Sequence, residues 1–155
     1  MVNLLITNAS IDHSKLVWEW RNDPHSMEMF LNSGKLKFKD HMNWYKDMLV
    51  DEKICTYIAE ENNKPVGVIR FNEAFEDASK YCVSINISPQ KRGKGIGKFL
   101  LINGIKKLKS EKIYCDYIYA SVKKINKNSN LMFKSCGFKK LNENNNLIEY
   151  VFHVV

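Results

Sequence analysis

The sequence predicts one α/β domain that is built on a mixed β-sheet. An apolar strand, a glycine-rich turn and a long helix occupy residues 81–110, and a second apolar strand follows at 114–122. Strand, helix and strand in this order form a βαβ unit with parallel strands. Hairpin patterns stand on both sides of the unit, at 54–72 and 139–154. The length of 155 residues is enough for one domain with a sizeable core.

The first half of the chain is predicted to contain short helices, a loop and a β-hairpin. Asp12 caps the first helix, and Pro24 ends it because proline disfavours helix in the residue before it. In chain order, the predicted elements are a strand at 3–7, a helix at 12–20, a helical turn at 25–30, a loop at 31–37, a helix from 38 or 39 to 50, and strands at 54–60 and 66–72 around a turn at 61–65.

The second half is predicted to hold the βαβ unit and a final hairpin. Gly137 suits the position after a helix, where the backbone turns left-handed. In chain order, the predicted elements are a polar connection at 75–80, a strand at 81–88, a helix at 95–110, a strand at 114–122, a helix at 128–135, and strands at 139–142 and 147–154.

The composition is that of an ordinary globular protein, with 45% hydrophobic and 26% charged residues. No apolar run approaches the length of a membrane span, and the start of the chain lacks the basic region and apolar core of a signal peptide, so a cytoplasmic protein is expected. No metal site is expected, because no histidine stands at metal-ligand spacing from the cysteines. Reduced thiols are expected for the scattered cysteines, which are Cys55, Cys82, Cys115 and Cys136.

The net charge of +7 suits either nucleic acid or a polyanionic small molecule. The aromatic residues do not alternate along a strand beside the basic turn, as they do on a stacking platform for bases. The charge therefore favours a small-molecule anion over nucleic acid as the partner.

The stretch 85–97 organises the rest of the chain, since it is a strand, a basic glycine-rich turn and the start of a helix. Pro89 ends the strand because it cannot donate to the ladder. The first amides of a helix have no internal partner and favour anions, so the turn is a phosphate cradle. It is neither a P-loop, whose glycine and hydroxyl positions hold Arg92 and Phe99, nor a dinucleotide fingerprint, whose third glycine is replaced by Lys98.

Two motifs carry a resemblance to a known family. Gln-x-x-Gly-x-Gly at 90–95 resembles the acetyl-CoA signature of the GNAT family of N-acetyltransferases. The segment 126–138 resembles a second motif of that family, Asn-x-x-[Ala/Ser]-x-x-x-[Tyr/Phe]-x-x-x-Gly-Phe, with its spacing kept. One helix and one strand separate the two motifs, as in the family.

The resemblance implies a fold and a cofactor. The fold is a single GNAT domain, with a mixed sheet of about seven strands, flanking helices and a V-shaped cleft between the two central parallel strands. Acetyl-CoA is the implied acetyl donor. The residues expected to bind it are Ile85, Asn86, Ile87, Gln90, Lys91, Arg92, Gly93, Lys94, Gly95, Ile96, Gly97, Lys98, Asn126, Ser129 and Phe133.

The N-terminal half is similar to one branch of the family. The stretches 18–24, 38–44 and 65–71 look like those of nucleotide-sugar N-acetyltransferases of pseudaminic acid and other surface-polysaccharide pathways. They are more loosely similar to acetyltransferases of ribosomal-protein N-termini. In the nucleotide-sugar enzymes this half forms the acceptor side of the cleft. The candidate acceptor contacts are Arg21, His41 and Arg70.

The expected reaction transfers an acetyl group to a primary amine within a ternary complex. Backbone N–H groups of Asn86 and Ile87 are candidates to polarise the thioester carbonyl. Relatives often carry a base, Glu, on the fourth strand, where this chain has Cys82. The base is therefore expected to be His41 or a chain of water molecules, although a histidine on an amphipathic helix often serves structure instead. Upstream carboxylates that could act through water are Glu73, Glu76 and Asp77.

The general acid also departs from the family pattern. Relatives often have Tyr where this chain has Phe133, and Phe cannot donate a proton to the departing thiolate. Phe133 and Phe138 could equally be core residues, and Asn126 could simply cap its helix. Candidate substitutes for the missing hydroxyl are Tyr45, Tyr117 and Tyr119.

Three functions remain open from the sequence. The first is an N-acetyltransferase for a nucleotide-linked amino sugar, the second is a protein N-terminal acetyltransferase, and the third is a non-catalytic CoA-binding module. The last strand, at 148–154, could form an edge contact between two copies of the chain.

Overall fold

The computed structural model describes residues 3–32 and 34–155. Met1 and Val2, at the start of the segment predicted not to be a signal peptide, lie outside this range, as does Ser33 in the predicted loop. The strands are β1 (Leu4–Asn8), β2 (Ile54–Glu61), β3 (Lys64–Ala74), β4 (Asp77–Ile87), β5 (Tyr117–Lys123), β6 (Lys139–Glu143) and β7 (Leu147–His153).

The helices lie where the apolar periodicity predicts them. A 3₁₀ turn at Ile11–His13 precedes the first helix, and another at Pro89–Lys91 follows β4. The α-helices are α1 (Ser14–Arg21), α2 (Pro24–Met29), α3 (Phe38–Val50), α4 (Ile96–Glu111) and α5 (Lys127–Ser135).

The caps of the first two helices differ from the prediction. Asp12 is not a cap, because it lies inside a 3₁₀ turn that Ser10 and His13 enclose with a reciprocal capping box. Asp23 caps α2 through a hydrogen bond that its carboxylate accepts from the amide of Ser26, with Pro24 at the first helical position.

All seven strands form one mixed sheet in the order β1-β2-β3-β4-β5-β7-β6. Among the strands of the described residues, only β4 and β5 run parallel, and their register spans three pairs, from Lys80↔Tyr117 to Cys82↔Tyr119. Beyond Cys82 the two strands separate and open a V-shaped cleft. The predicted seven-stranded fold with a cleft between parallel strands is therefore confirmed.

The two faces of the sheet pack against different helices. One face carries the main core under α4 and α5, where Ile69, Phe71 and Leu100 are fully buried. Such side chains each stabilise the fold by about 1.5–3 kcal/mol. The other face packs against α1 through a smaller cluster that includes Trp20 and Ile58. The cleft opens through the sheet between these two layers.

Two sequence predictions about strand ends are wrong. The polar connection at 75–80 is instead a two-residue turn at Phe75 and Glu76, after which β4 begins at Asp77. The last strand is not an edge, because β7 lies between β5 and β6. In both places the pairing of strands decides the outcome. β4 starts earlier than its polar residues indicate because it pairs with β3, and β6 pairs with the outer side of β7. None of the helices in the described ranges has the length and apolar character that a membrane span requires.

Candidate active site

The cleft encloses about 1140 Å³ and brings together residues that lie far apart in the sequence. Of the predicted site residues, Gln90 and Lys94 do not line it; the Gln90 side chain accepts a hydrogen bond from Ser88 at 3.0 Å. The predicted residues that line the cleft are Arg21, His41, Arg70, Ile85, Asn86, Ile87, Lys91, Arg92, Gly93, Gly95, Ile96, Gly97, Lys98, Asn126, Ser129 and Phe133.

The basic turn is open toward the cleft. Gly93 and Gly95 have φ angles of 74° and 83°, a left-handed backbone that favours glycine. A Cβ at either position would meet no atom within 4 Å, so the space above the turn is free. Gly95 caps α4 without a side chain, which leaves the first amides of this 16-residue helix facing outward. The turn can therefore accept an anion at the positive end of the helix.

Two charged side chains of the turn are bonded to other parts of the fold. Lys91 forms an ion pair with Glu61 at 3.0 Å. Arg92 donates to the Asp23 carboxylate and to the Ser26 hydroxyl, both at 2.8 Å. Neither cation is therefore a free charge.

Asp23, Ser26, Arg92 and Asn86 form one hydrogen-bonded network that joins α2 to β4. The Ser26 hydroxyl donates to the Asn86 side-chain oxygen at 3.0 Å. Burial disfavours the charge on Asp23, but hydrogen bonds from Arg92 and backbone amides outweigh it and lower the pKa of the carboxyl. The sequence prediction missed Asp23 and Ser26, although Asp followed by Pro is a helix-start signal.

Residues of the second motif hold α5 in place. The Asn126 side chain accepts from the Ser129 amide at 3.2 Å and so caps the helix. Phe133 is 5% exposed, and its ring lies 5.0 Å from that of Phe138 and 6.0 Å from that of Tyr150. Phe133 is therefore mainly a core residue, as one of the two interpretations of the sequence expects, although one side of it lines the cleft.

Two arginines on the acceptor side have no carboxylate partner among the described residues. The guanidinium of Arg21 lies 4.8 Å from the ring centre of Phe30 and donates to a backbone carbonyl, while its Nη1 is buried without a hydrogen-bond partner. The guanidinium of Arg70 lies 5.0 Å from the ring of Trp44, and its Nε donates to Asn72 at 2.9 Å. Burial lowers the pKa of both guanidinium groups.

The cleft has a positive lining. Its described lining residues include Arg21, Arg70, Arg92 and two lysines, but no aspartate or glutamate. A partly buried cation without a counter-charge costs free energy, which a bound anion would recover. The lining therefore favours ligands with negative charge.

His41 is 1% exposed and packs between elements of the acceptor side. Its Nε2 lies 2.9 Å from the backbone carbonyl of Ser14, so Nε2 carries the proton and donates it. Burial lowers the pKa of His41, and the hydrogen bond to Ser14 only partly offsets this. This contact joins α3 to α1 and favours a structural role for His41, while its role as a base stays a prediction.

The pH dependence of stability tests the environment of His41. Because its pKa is lower in the folded state, the unfolded state binds more protons below the ordinary value of about 6.5. The contribution of His41 to the free energy of unfolding should therefore be fully present above that pH. It should decrease as the pH drops below it. In His41→Gln this acid limb should flatten, as measured by urea unfolding between about pH 7.5 and 5.5. His25→Gln, at an exposed position on α2, is the control. Loss of the acid limb of kcat/KM in His41→Gln would instead support the base.

The candidate acids differ in their freedom to act. The Tyr45 hydroxyl donates to the Ser10 carbonyl at 2.9 Å, and burial raises the pKa of Tyr45 to about 12. Tyr117 stacks on His153 and does not line the cleft. Tyr119 lines the cleft beside Cys82, and its role as an acid stays a prediction.

The carboxylates predicted to act through water lie outside the cleft lining. Asp77 accepts hydrogen bonds from Ser79, and Glu73 and Glu76 also do not line the cleft. Cys82 lies in the cleft, where burial and the nearby Glu149 carboxylate raise the pKa of its thiol. Glu149 was missed by the sequence prediction, since only the pairing of β5 with β7 brings it near Cys82.

A comparison with protein-family models identifies one family. The family model described as "Acetyltransferase (GNAT) family" matches residues 15–138, well over half of the chain. No curated protein matches the chain significantly.

Solved structures share the fold. A domain from Methanocaldococcus jannaschii is 24% identical with a TM-score of 0.84, over 99% of this chain and 100% of that chain. Spermidine N-acetyltransferase from Vibrio cholerae, solved with CoA and spermine, is 16% identical with a TM-score of 0.86, over 97% and 95%. Ribosomal-protein-alanine N-acetyltransferase from Brucella melitensis is 19% identical with a TM-score of 0.81, over 97% and 99%.

Proposed function

The chain belongs to the acetyltransferase (GNAT) family, and we propose that it acetylates the primary amine of a nucleotide-linked amino sugar in surface-polysaccharide biosynthesis. Membership of the family makes the chain an acyltransferase. The proposal concerns its acceptor and the residues that hold the two substrates.

The cleft fits acetyl-CoA as the acetyl donor, which supplies the acetyl group as an activated thioester. The open amides from Gly93 to Lys98 suit its pyrophosphate, and Gly93 and Gly95 leave the space that this group needs. Beyond Cys82, β4 has no strand partner on its β5 side, so its backbone at Ile85–Ile87 can pair with the amide-bearing pantetheine arm. We assign Asn126, Ser129 and Phe133 to the α5 wall of this site.

The backbone of β4 also serves the chemistry. The N–H of Ile87 faces the open side of β4 and polarises the thioester carbonyl as negative charge develops on its oxygen, whereas the N–H of Asn86 faces β3. Ser26 holds the Asn86 side chain at 3.0 Å and thereby steadies this part of the strand. The attacking amine must be neutral, and the less basic amine of an amino sugar needs less help than a lysine-like amine near pKa ~10. Water can then remove the proton in a cleft whose described lining has no carboxylate, and CoA leaves as its thiolate, either directly or with a proton from water.

The main support for a nucleotide-linked acceptor is a pair of arginines that have no counter-charge among the described residues. Arg21 and Arg70 lie in the cleft, each against an aromatic ring and each bonded only to neutral oxygens. Planar guanidinium groups recognise phosphate well, and a nucleotide diphosphate would compensate both charges. A polyamine such as spermidine would bring more positive charge to the same lining and find no carboxylate there.

A thermal-shift experiment tests the acceptor class. Uridine or cytidine diphosphate at 100 times its Kd should raise the Tm by about 5–10 °C, because a ligand that binds only the native state stabilises it. Spermidine should give no rise. The nucleotide shift should be lost in Arg21→Gln but kept in Lys106→Gln, which removes an exposed charge on α4.

Acetyl transfer separates this proposal from its alternatives. CoA release should be fastest with an amino-sugar nucleotide in a panel that also holds an alanyl peptide, phosphinothricin and spermidine. Acetylation of the peptide without a shift by either nucleotide would overturn the proposal in favour of a protein N-terminal acetyltransferase. Release of CoA with any amine would exclude a non-catalytic module.

The cytoplasm and a homodimer belong to the same proposal. All four cysteines are free thiols, which fits a reducing compartment. A dimer would have to use a surface other than β7, since β7 is an inner strand.

A further inference from the structure

Two hairpin turns of the sheet share a backbone conformation but not a sequence. Asn62 and Asn63, between β2 and β3, have φ angles of 51° and 67°. Phe75 and Glu76, between β3 and β4, have φ angles of 58° and 50°. Two residues with positive φ make the turn that asparagine, aspartate and glycine favour. The first turn follows this rule, whereas the second places a bulky side chain in a conformation that costs free energy.

Burial does not compensate for the strain at Phe75. The side chain is 71% exposed, so its removal from water stabilises the fold little. Its ring meets the ring of Tyr119 edge to face, with 5.5 Å between centroids and 81° between planes. Strained residues persist where the site has a use for them. The use of Phe75 therefore has to be sought beside Tyr119.

Tyr119 stands at the floor of the cleft. It pairs with Cys82 in the last step of the β4–β5 ladder, just before the two strands separate. Its side chain lines the cleft, and the exposed ring of Phe75, which lies outside that lining, packs edge to face against it. An acceptor bound against this floor lies beside β4, the strand assigned to the thioester. Its amine-bearing ring can then lie next to Tyr119.

We propose that Phe75 and Tyr119 form an aromatic wall that holds the amine-bearing ring of the acceptor. The inference rests on the proposed function and adds a specificity contact to it. Aromatic side chains supply large, rigid contact area in ligand pockets. Arg21 and Arg70 bind the anionic end of the acceptor, and the wall orients the sugar ring. Phe75 is thus retained for binding at a position where the turn prefers asparagine.

Two matched substitutions test the wall, with the Asn62–Asn63 turn as their template. Phe75→Asn and Glu76→Asn both place asparagine at a residue with positive φ, so each should raise the Tm by about 2–4 °C. Only Phe75→Asn removes the ring. By titration calorimetry, it should weaken the Kd of uridine diphosphate N-acetylglucosamine about tenfold, while the Kd of uridine diphosphate alone is unchanged. Glu76→Asn should leave both dissociation constants unchanged.

The outcomes separate the wall from the proposed function. If Phe75→Asn raises the Tm but does not weaken binding of the sugar nucleotide, the wall is overturned. An unchanged Tm would also overturn it, because it would show that Phe75 is not strained in the wild type. If the wild type binds neither nucleotide, the proposed function fails. In that case kcat/KM with the panel amine that reacts fastest decides: a tenfold loss in Phe75→Asn but not in Lys106→Gln supports the wall, and equal values overturn it.

Discussion

Arg70→Gln is expected to lower kcat/KM for the acceptor about 100-fold and to leave the KM for acetyl-CoA unchanged. Arg70 projects from β3 into the acceptor side of the cleft, stacked 5.0 Å from the ring of Trp44. No carboxylate of the described residues compensates its charge, so the acceptor anion is its partner under the proposed function. Removing one member of a partly buried charge pair costs about 2–5 kcal/mol, and a 100-fold loss, which corresponds to about 2.7 kcal/mol, lies within this range.

Steady-state kinetics with both substrates varied measures this effect. Arg70→Lys keeps the charge but loses the planar donors, and it should recover only part of the activity. Lys106→Gln removes one exposed positive charge on α4 and controls for the general field of the protein. A similar loss in Lys106→Gln, or an equal rise in the KM for acetyl-CoA in Arg70→Gln, would contradict a specific acceptor contact.

Asn130→Ala is expected to lower the free energy of unfolding by about 3 kcal/mol and the Tm by about 6–12 °C. The Asn130 side chain accepts from the Tyr150 hydroxyl at 2.6 Å and donates to the carbonyls of Lys123 and Asn126 at 3.1 and 2.8 Å. Alanine would leave the buried hydroxyl without a partner and would release the start of α5 from the end of β5. Chemical unfolding monitored by circular dichroism measures the loss.

A double-mutant cycle identifies the cause of this instability. Tyr150→Phe removes the stranded hydroxyl, so it should cost less in the Asn130→Ala background than in the wild type. Asn128→Ala, on the exposed side of the same helix, should change the free energy of unfolding by less than about 0.5 kcal/mol. Additive effects of Asn130→Ala and Tyr150→Phe would argue against the hydrogen bond as the source of the stability.

The elements that depend on local chemistry were predictable. Periodic apolar residues place α3 and α4 within about one residue of their observed bounds, since helix period and turn residues act over short distances. The turn at Phe75 was missed for the opposite reason. Its two residues disfavour the conformation they adopt, so local propensity predicts the wrong connection there.

The candidate site was predictable only in part. The glycines of the basic turn follow from their spacing, but the partners of Arg92 do not, because Asp23 and Ser26 lie 69 and 66 residues away in the chain. The same holds for His41, whose hydrogen bond to Ser14 spans 27 residues. Contacts of this range depend on how helices pack on the sheet, which no local pattern encodes.

The sequence by itself determined the βαβ unit, the open phosphate turn and the order of the two family motifs, since glycine, proline and apolar period constrain the backbone within a few residues. The tertiary structure alone decided that the β4–β5 ladder ends at Cys82 and Tyr119, that Arg21 and Arg70 have no described counter-charge, and that Phe75 lies against the floor of the cleft. Charge compensation and side-chain contact are properties of neighbours in space, and these neighbours come from five separate elements of the fold.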